Sequence, residues 1–484
     1  MMENLEAGYG STIKRIAKNM GWLFIATVVT RILSLVLIVY IARQLGDIDF
    51  GKFSFAKAFV QLFIVFSDFG LGIFTIREVA RDRILASKYL GNFSVLKIIL
   101  SVFAFSLLYI ATNILNYPRE TSLVVYIIGL SFILTSFAEL FRAIFFANER
   151  MEYSALLIVI EKLVLLSLAV SVLYLGYGLI TLVSAYLVAS IVYLLLNITF
   201  VIWKFAKPKF KIDLEFWLSS IKSAYPFALG TIISMIFLYI DVTMLSKMKG
   251  DQVVGWYSAS FGLIYQTKII SSVFLRAIFP IMSRYFVNSS EYLKKTYEKS
   301  FKFLFGLGLP ISVGGAIFAR RIILLLYGQD YVNSIVAFKI LIWAIVFFYL
   351  NTFFGYFFAS LDKQAISTKF LAISAGVNIV LNLILIPSMS YVGASIATVI
   401  SEIVFFGLAV AYVSRTAYNF SPIVLIIKSL FASLIMGLFA YYFKEANLFL
   451  VIFLGACLYF FTLYLIGYLD KEDKSILRRI VRGS

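Results

Sequence analysis

From Gly21 almost to the C-terminus, the chain alternates apolar runs of about 20 residues with short polar connections. A helix of that length crosses roughly 30 Å of hydrocarbon, and only a helix or a closed barrel satisfies its backbone there. Barrel strands would be shorter and would alternate in polarity, so the pattern predicts an all-α polytopic membrane protein of about 14 transmembrane helices. The first six are expected at 21–45, 53–76, 89–113, 121–147, 154–175 and 178–203. Six more follow at 224–247, 254–282, 301–326, 332–361, 365–387 and 391–414, with a last pair at 421–443 and 447–469.

One short pattern occurs twice. Arg43-x-x-Gly46-Asp47-x-x-x-Gly51-x-Phe53-Ser54 reappears as Lys247-x-x-Gly250-Asp251-x-x-x-Gly255-x-Tyr257-Ser258, each member displaced by 204 positions. Both copies follow a long apolar helix, as an internal duplication would leave them. Six helices per copy is an even number, so the two copies enter the bilayer from the same side, related by an axis along the membrane normal. The expected organisation is an N-terminal six-helix lobe at 1–203, a basic linker at 204–223, a second six-helix lobe at 224–414, and an extra helix pair with a basic tail at 415–484. Duplicated halves of this kind point to transport.

Composition agrees. The 484 residues are 62% hydrophobic, with a net charge of +18 and 43 Lys and Arg, and mean hydropathy is +0.96. That charge is spread over the connections rather than gathered in a basic domain, so nucleic acid is not an expected partner. With the N-terminus inside, the cytoplasmic segments hold about 26 of these cations, against about 8 opposite. The inside set runs from Lys14, Arg15 and Lys18 through Arg77, Arg150, Lys207 and Lys294 to Lys471, Lys474, Arg478, Arg479 and Arg482. Both termini are therefore expected in the cytoplasm, with the protein in the cell membrane. The linker, with Pro208, is expected to lie along the cytoplasmic surface with Phe210, Ile212, Leu214, Phe216 and Trp217 dipping into lipid. Residues 1–20 are polar and basic, and the span after them is too long for a signal-peptide core, so the first helix is expected to be retained. There is no histidine, and the one cysteine, Cys457, lies in an apolar span. No cofactor, metal centre or disulfide framework is expected.

The first ninety residues resemble a known family. Arg31-Ile-Leu-Ser, Ile41-Ala-Arg-Gln-Leu-Gly46, Phe50-Gly-Lys-Phe-Ser-Phe-Ala56, Ser67-Asp-Phe-Gly-Leu71 and Thr75-Ile-Arg-Glu78 resemble the opening of polysaccharide-export proteins, the Wzx-like oligosaccharide flippases. Tyr239-Ile-Asp-Val-Thr-Met-Leu245, Gly255-Trp-Tyr-Ser258 and Pro280 are similar to the matching second-half stretch. Within the wider MOP superfamily these are similar to MATE multidrug exporters and to the lipid II flippase. The resemblance implies two lobes around a central cavity. Alternating access would then move a lipid-(pyro)phosphate-linked oligosaccharide from the inner to the outer leaflet. In the lipid II flippase a similarly placed C-terminal helix pair forms a lipid groove.

Charges inside spans are costly, roughly 2.5–3.5 kcal/mol each, and mark a cavity or an ion pair. Arg31 and Asp68 are expected at roughly 15 and 12 Å from the cytoplasmic side on antiparallel helices, so they could pair. Glu139, Arg142, Glu161 and Lys162 fall at similar depth, and Glu139 and Arg142 are spaced to neutralise each other on one helix face. Lys268 and Arg276, eight residues apart, share a face, and Asp241 lies nearer the outer side as a cap or a snorkelling group. A phosphate headgroup suits Arg and Lys, which replace its lost hydration. Arg31 and Arg276, with Lys268 and Lys162, are the headgroup candidates. Asp68, Asp241, Glu139, Arg142 and Glu161 are candidates for ion coupling or pairing, with H+ or Na+ as the ion. Gly306, Gly308, Pro310, Gly314 and Gly315 predict an interrupted helix, with Pro310, Gly314 and Gly315 as its hinge or, equally, as close-packing residues.

Two other functions compete. Asp47-x-Asp49 resembles a glycosyltransferase's acidic loop, but it sits in a connection of a few residues that recurs as Gly250-Asp251, so a turn is expected and no enzyme. A MATE-like cation-coupled drug or metabolite exporter would use Asp68 or Asp241 to bind H+ or Na+. The excess of cationic candidates favours an anionic cargo. Membrane lipids are the surrounding partners, and a monomer is the expected working unit.

Overall fold

A computed structural model describes residues 2–416, 418, 421–468, 470 and 473, with the side chains of 2–17, 20, 226 and 227 excepted. The side chains of Lys14 and Arg15, and Lys471, Lys474, Arg478, Arg479 and Arg482 of the basic tail, lie outside the described residues.

Every regular element among the described residues is a helix. Eleven are long and apolar enough to cross a membrane, or twelve when the bent pair Ser334–Leu341 and Ala344–Ser360 counts as one span. The difference from fourteen arises at two kinks. Gly46 (φ 72°, ψ 178°) and Ser390 (φ 53°, ψ −135°) are non-helical, and at each two helices follow directly on one another, so 21–81 and 364–413 each count once among the eleven.

Two compact units emerge, the first ending at Gly255 and the second beginning at Trp256. The first holds α1 (Met2–Asp68), α2 (Leu71–Arg81), α3 (Ala86–Ile114), α4 (Arg119–Ala147), α5 (Met151–Tyr174), α6 (Leu179–Lys204) and α7 (Leu214–Lys249). In it α1 runs against α3, α4, α5 and α7, while α4 packs along α6. Leu71, Phe74, Leu90, Phe93, Phe141, Phe145 and Tyr193 form its buried core. The break between α1 and α2 falls inside the expected span 53–76, where Phe69 (φ 47°) and Gly70 (φ 81°) adopt left-handed backbone.

The linker is held by α3. Lys209 donates its amide to the Ser87 carbonyl at 2.9 Å, and its own carbonyl fills the space where a Cβ on Gly91 would stand. The buried Asn92 accepts from the Trp217 indole at 3.2 Å. Asp213 caps α7 by accepting from the Phe216 amide at 3.0 Å and pairs with Lys88 at 3.1 Å. That amide, followed by Lys88, holds its carboxyl below the usual carboxylate range. Phe216 stacks on Phe93, and Trp217 is buried. Their expected place in lipid is thereby corrected: an aromatic ring that finds a protein partner packs against it. Phe210, Ile212 and Leu214 remain exposed.

α8 (Asp251–Gln266) starts in the first unit and enters the second. The second unit continues with α9 (Lys268–Asn288), α10 (Ser290–Tyr327), α11 (Ser334–Leu341), α12 (Ala344–Ser360), α13 (Gln364–Val413), α14 (Ile423–Tyr442) and α15 (Leu448–Leu465). α12 packs on α9, α10 and α13, and α10 also carries α14. The expected span 254–282 lies within one candidate span, 251–288, in which α8 and α9 join at Thr267 with helical backbone (φ −65°, ψ −20°); its hydroxyl donates to the Ile264 carbonyl at 2.7 Å. Its own carbonyl accepts from the Tyr349 hydroxyl at 3.1 Å. α10, in contrast, runs unbroken through Pro310, so the interruption expected there does not occur. Neighbouring helices tolerate a proline in a span where its freed backbone group finds another partner. A Cβ on Gly315 would stand 2.7 Å from Ile342 Cγ1, and one on Gly308 would stand 3.1 Å from Val346 Cα, so these glycines serve close packing.

Candidate functional site

The break between α1 and α2 opens a cavity of about 610 Å3 in the first unit. Its wall includes Gln61 and Asp68 of α1, Gly72 of α2, Thr135, Ser136, Glu139 and Arg142 of α4, and Thr231 of α7. Positive φ at Phe69 and Gly70 interrupts the helix, and Asp68 at the end of α1 and Gly72 and Ile73 at the start of α2 share this wall. A helix N-terminus carries partial positive charge, which suits a carboxylate or another anion.

Four charges meet around the cavity as two ion pairs. Asp68 is bound by Lys97 of α3, whose side chain is fully buried while that of Asp68 is 36% exposed. This partner replaces the Arg31 pairing considered for Asp68, because α3 brings its cation directly behind the end of α1. Arg142 binds Glu139 at 2.6 Å one helical turn away, as their spacing predicted. The buried Tyr193 of α6 donates its hydroxyl to Glu139 at 3.1 Å. Ser67, next to Asp68, donates its hydroxyl to Ser136 of the cavity wall at 3.2 Å. Arg142 is thus held at the wall by a carboxylate and Lys97 is buried behind Asp68, and an Arg offers two parallel donors to an oxyanion.

The structure gathers Asp68, Glu139 and Arg142 in this cavity and places the other candidates elsewhere. Glu161 and Lys162 of α5 bind each other at 3.1 Å. Asp241 is buried on α7 rather than snorkelling outward. Arg31 on α1 and Arg276 on α9 are exposed, and neither lines the cavities described here. Lys268 opens α9 with its ammonium 4.8 Å from the Phe348 ring centre. Lys97 is absent from the sequence-derived candidates, although a lone lysine within Val95-Leu-Lys-Ile-Ile99 is a detectable signal.

The second unit holds an apolar cavity of about 400 Å3 between α8, α10, α11, α12, α14 and α15. Pro310, Gly314 and Gly315 line it, with Ile311, Met436 and Phe460. Nothing stands within 4 Å of a Cβ built on Gly314.

Known proteins share this architecture. The sequence model described as "Polysaccharide biosynthesis protein" matches residues 16–286, and that described as "Lipid II flippase MurJ" matches residues 202–461. The "Probable low-salt glycan biosynthesis flippase Agl15" of Haloferax volcanii is 24% identical over 80% of this chain and 81% of its own. A structure of lipid II flippase MurJ, in its inward closed conformation, superposes with a TM-score of 0.76 at 16% identity over 91% of this chain and 98% of that one. An inward-facing MATE family multidrug resistance transporter of the MOP superfamily follows at 0.64 and 16%, over 80% and 94%. The two superpositions speak to the fold, and the two sequence models each cover more than half of the 484 residues. The chain belongs to the polysaccharide biosynthesis protein family, with the lipid II flippase MurJ model carrying the match through its second half.

Proposed function

We propose that this chain is a flippase for a lipid-linked (pyro)phosphoryl oligosaccharide, moving it from the inner to the outer leaflet by alternating access. The observation that carries this reading is the ion-paired cavity of the first unit, in a chain of a polysaccharide biosynthesis family. In water a phosphate is solvated, and in a bilayer it needs cations arranged in advance. Arg142 supplies one at the wall and the buried Lys97 a second behind Asp68, and their resident carboxylates keep the cavity neutral until the cargo arrives. Arg31, Arg276, Lys268 and Lys162 serve as further headgroup contacts along the path. The released carboxylates of Asp68 and Glu139 then take up H+ or Na+, with Asp241 and Glu161 as additional coupling groups.

The apolar cavity suits a hydrocarbon chain, and the C-terminal helix pair forms part of its wall. The names of the flippases it resembles, glycan and lipid II, agree with an amphiphilic cargo. Two six-helix lobes joined by the 204–223 linker make up this chain's transport core. Counting each kinked helix, at Gly46 and Ser390, as two spans brings the total to fourteen. The protein sits in the plasma membrane as a monomer, with both termini in the cytoplasm.

Deleting the gene and extracting lipids tests this directly. Undecaprenyl- or dolichyl-linked oligosaccharide accumulates on the inner leaflet, and the intact gene clears it. Normal lipid-linked sugars in the deletion strain, together with lost resistance to cationic dyes, would replace this reading with that of a cation-coupled exporter.

A further inference from the structure

The two copies of the duplicated motif touch each other. Gly46 (φ 72°, ψ 178°) and Gly250 (φ 89°, ψ 175°) share one left-handed conformation, so each starts its following helix in the same way. Four residues on from Asp47 and Asp251, at Gly51 and Gly255, the chain again shows the same helix face. The contact is reciprocal. A Cβ on Gly51 would overlap the Asp251 carbonyl and stand 3.0 Å from the Gly255 amide nitrogen. A Cβ on Gly255 would overlap the Asp47 carbonyl and stand 3.3 Å from Asp47 Cα. Only glycine at both positions allows the two backbones to meet.

Side chains fasten the edge of this contact and leave its centre bare. Gln252 donates to Asp47 at 2.9 Å, Ser246 to Asp251 at 3.4 Å, and Lys52 pairs with Asp49 at 3.1 Å and Glu120 at 2.8 Å. Elsewhere in the unit α1 is fixed by large buried rings such as Phe53, Phe55 and Phe59. Smooth backbone surfaces can part without forcing any side chain off its rotamer, whereas interlocked rings cannot. Along α1 the contact lies 10–17 residues from cavity residues Gln61 to Asp68, roughly 15–25 Å away.

We propose that Gly51 and Gly255 are the positioning residues of an outer seal: the paired Gly-Asp-x-x-x-Gly segments close the transport path beyond the polar cavity and part once in each cycle. This rests on the transport reading above. The labelling test and the formation of the cross-link read the seal without any cargo, so its failure is distinct from failure of the glycan reading.

The test uses full-length protein with Cys457, its only cysteine, replaced by serine, and Thr135→Cys as a reporter in the cavity wall. A membrane-impermeant maleimide added outside intact cells labels the reporter slowly. Gly51→Ala with Gly255→Ala raises labelling by about tenfold or more, the size of a modest population shift. Unchanged labelling at normal abundance overturns the seal. Should that double variant fail to fold, Asp47→Cys with Gln252→Cys decides. Oxidation cross-links the pair and stops lipid-linked glycan transport, and a reductant restores it. Absence of the cross-link, or transport that continues through it, overturns the proposal.

Discussion

The cavity of the first unit places Asp68, Glu139 and Arg142 on its wall with Lys97 behind them, whereas that of the second has Thr267 and Tyr459 as the polar side chains among its lining residues. The volumes, about 610 and 400 Å3, both suit ligands, so the difference is one of chemistry. Two halves that still share a glycine motif thus differ in the chemistry of their cavities. A charged space with fixed counterions suits a phosphate-bearing head, and a dry space beside glycines suits a hydrocarbon chain.

The largest effect that would break this comparison is on the polar side. Lys97→Met strands Asp68 at the α1 end, and breaking a buried pair costs about 3–5 kcal/mol, less here because Asp68 is 36% exposed. Thermal unfolding in detergent should show the loss, and Asp68→Asn in the same chain should recover most of it. Arg142→Ala comes next, with flipping slowed about 10- to 100-fold, the worth of one charge-assisted contact, at unchanged abundance. On the apolar side, Gly314→Leu fills open space. It should slow flipping of a long-chain substrate about fivefold relative to a short-chain analogue, on the scale of about 1 kcal/mol of lost apolar contact. The smallest effect compares neighbours. Gly314→Ala should gain up to about 1 kcal/mol in helix propensity. Gly315→Ala should gain nothing, since Ile342 must leave its rotamer at about 0.5–1.5 kcal/mol. Melting temperatures of the two variants check the contrast.

Much of the fold was legible because hydropathy is a local property of the chain. Apolar runs bounded by polar residues marked the spans, and the 204-residue offset marked the duplication. Breaks were less legible. Thr267 separates α8 from α9 while its own backbone stays helical, with neither Pro nor Gly in α8's last turn, and Pro310 leaves α10 whole. Tertiary partners such as Tyr349 decide these cases, and they are distant in sequence. In the candidate site, Glu139 and Arg142 were readable from their spacing, since one helical turn joins them. The Asp68–Lys97 pair spans two helices and needed the structure, as did the meeting of Gly51 with Asp251. The linker shows the same limit: Phe216 and Trp217 look like lipid anchors until Phe93 and Asn92 are seen beside them.

Reconstitution tests the central claim most directly. Purified protein in liposomes, given a fluorescent lipid-pyrophosphate-linked oligosaccharide in one leaflet, should equalise it between leaflets, and Arg142→Ala at equal incorporation should fail to do so at a comparable rate. Equal rates for the two proteins, or none for the wild type, would contradict the account.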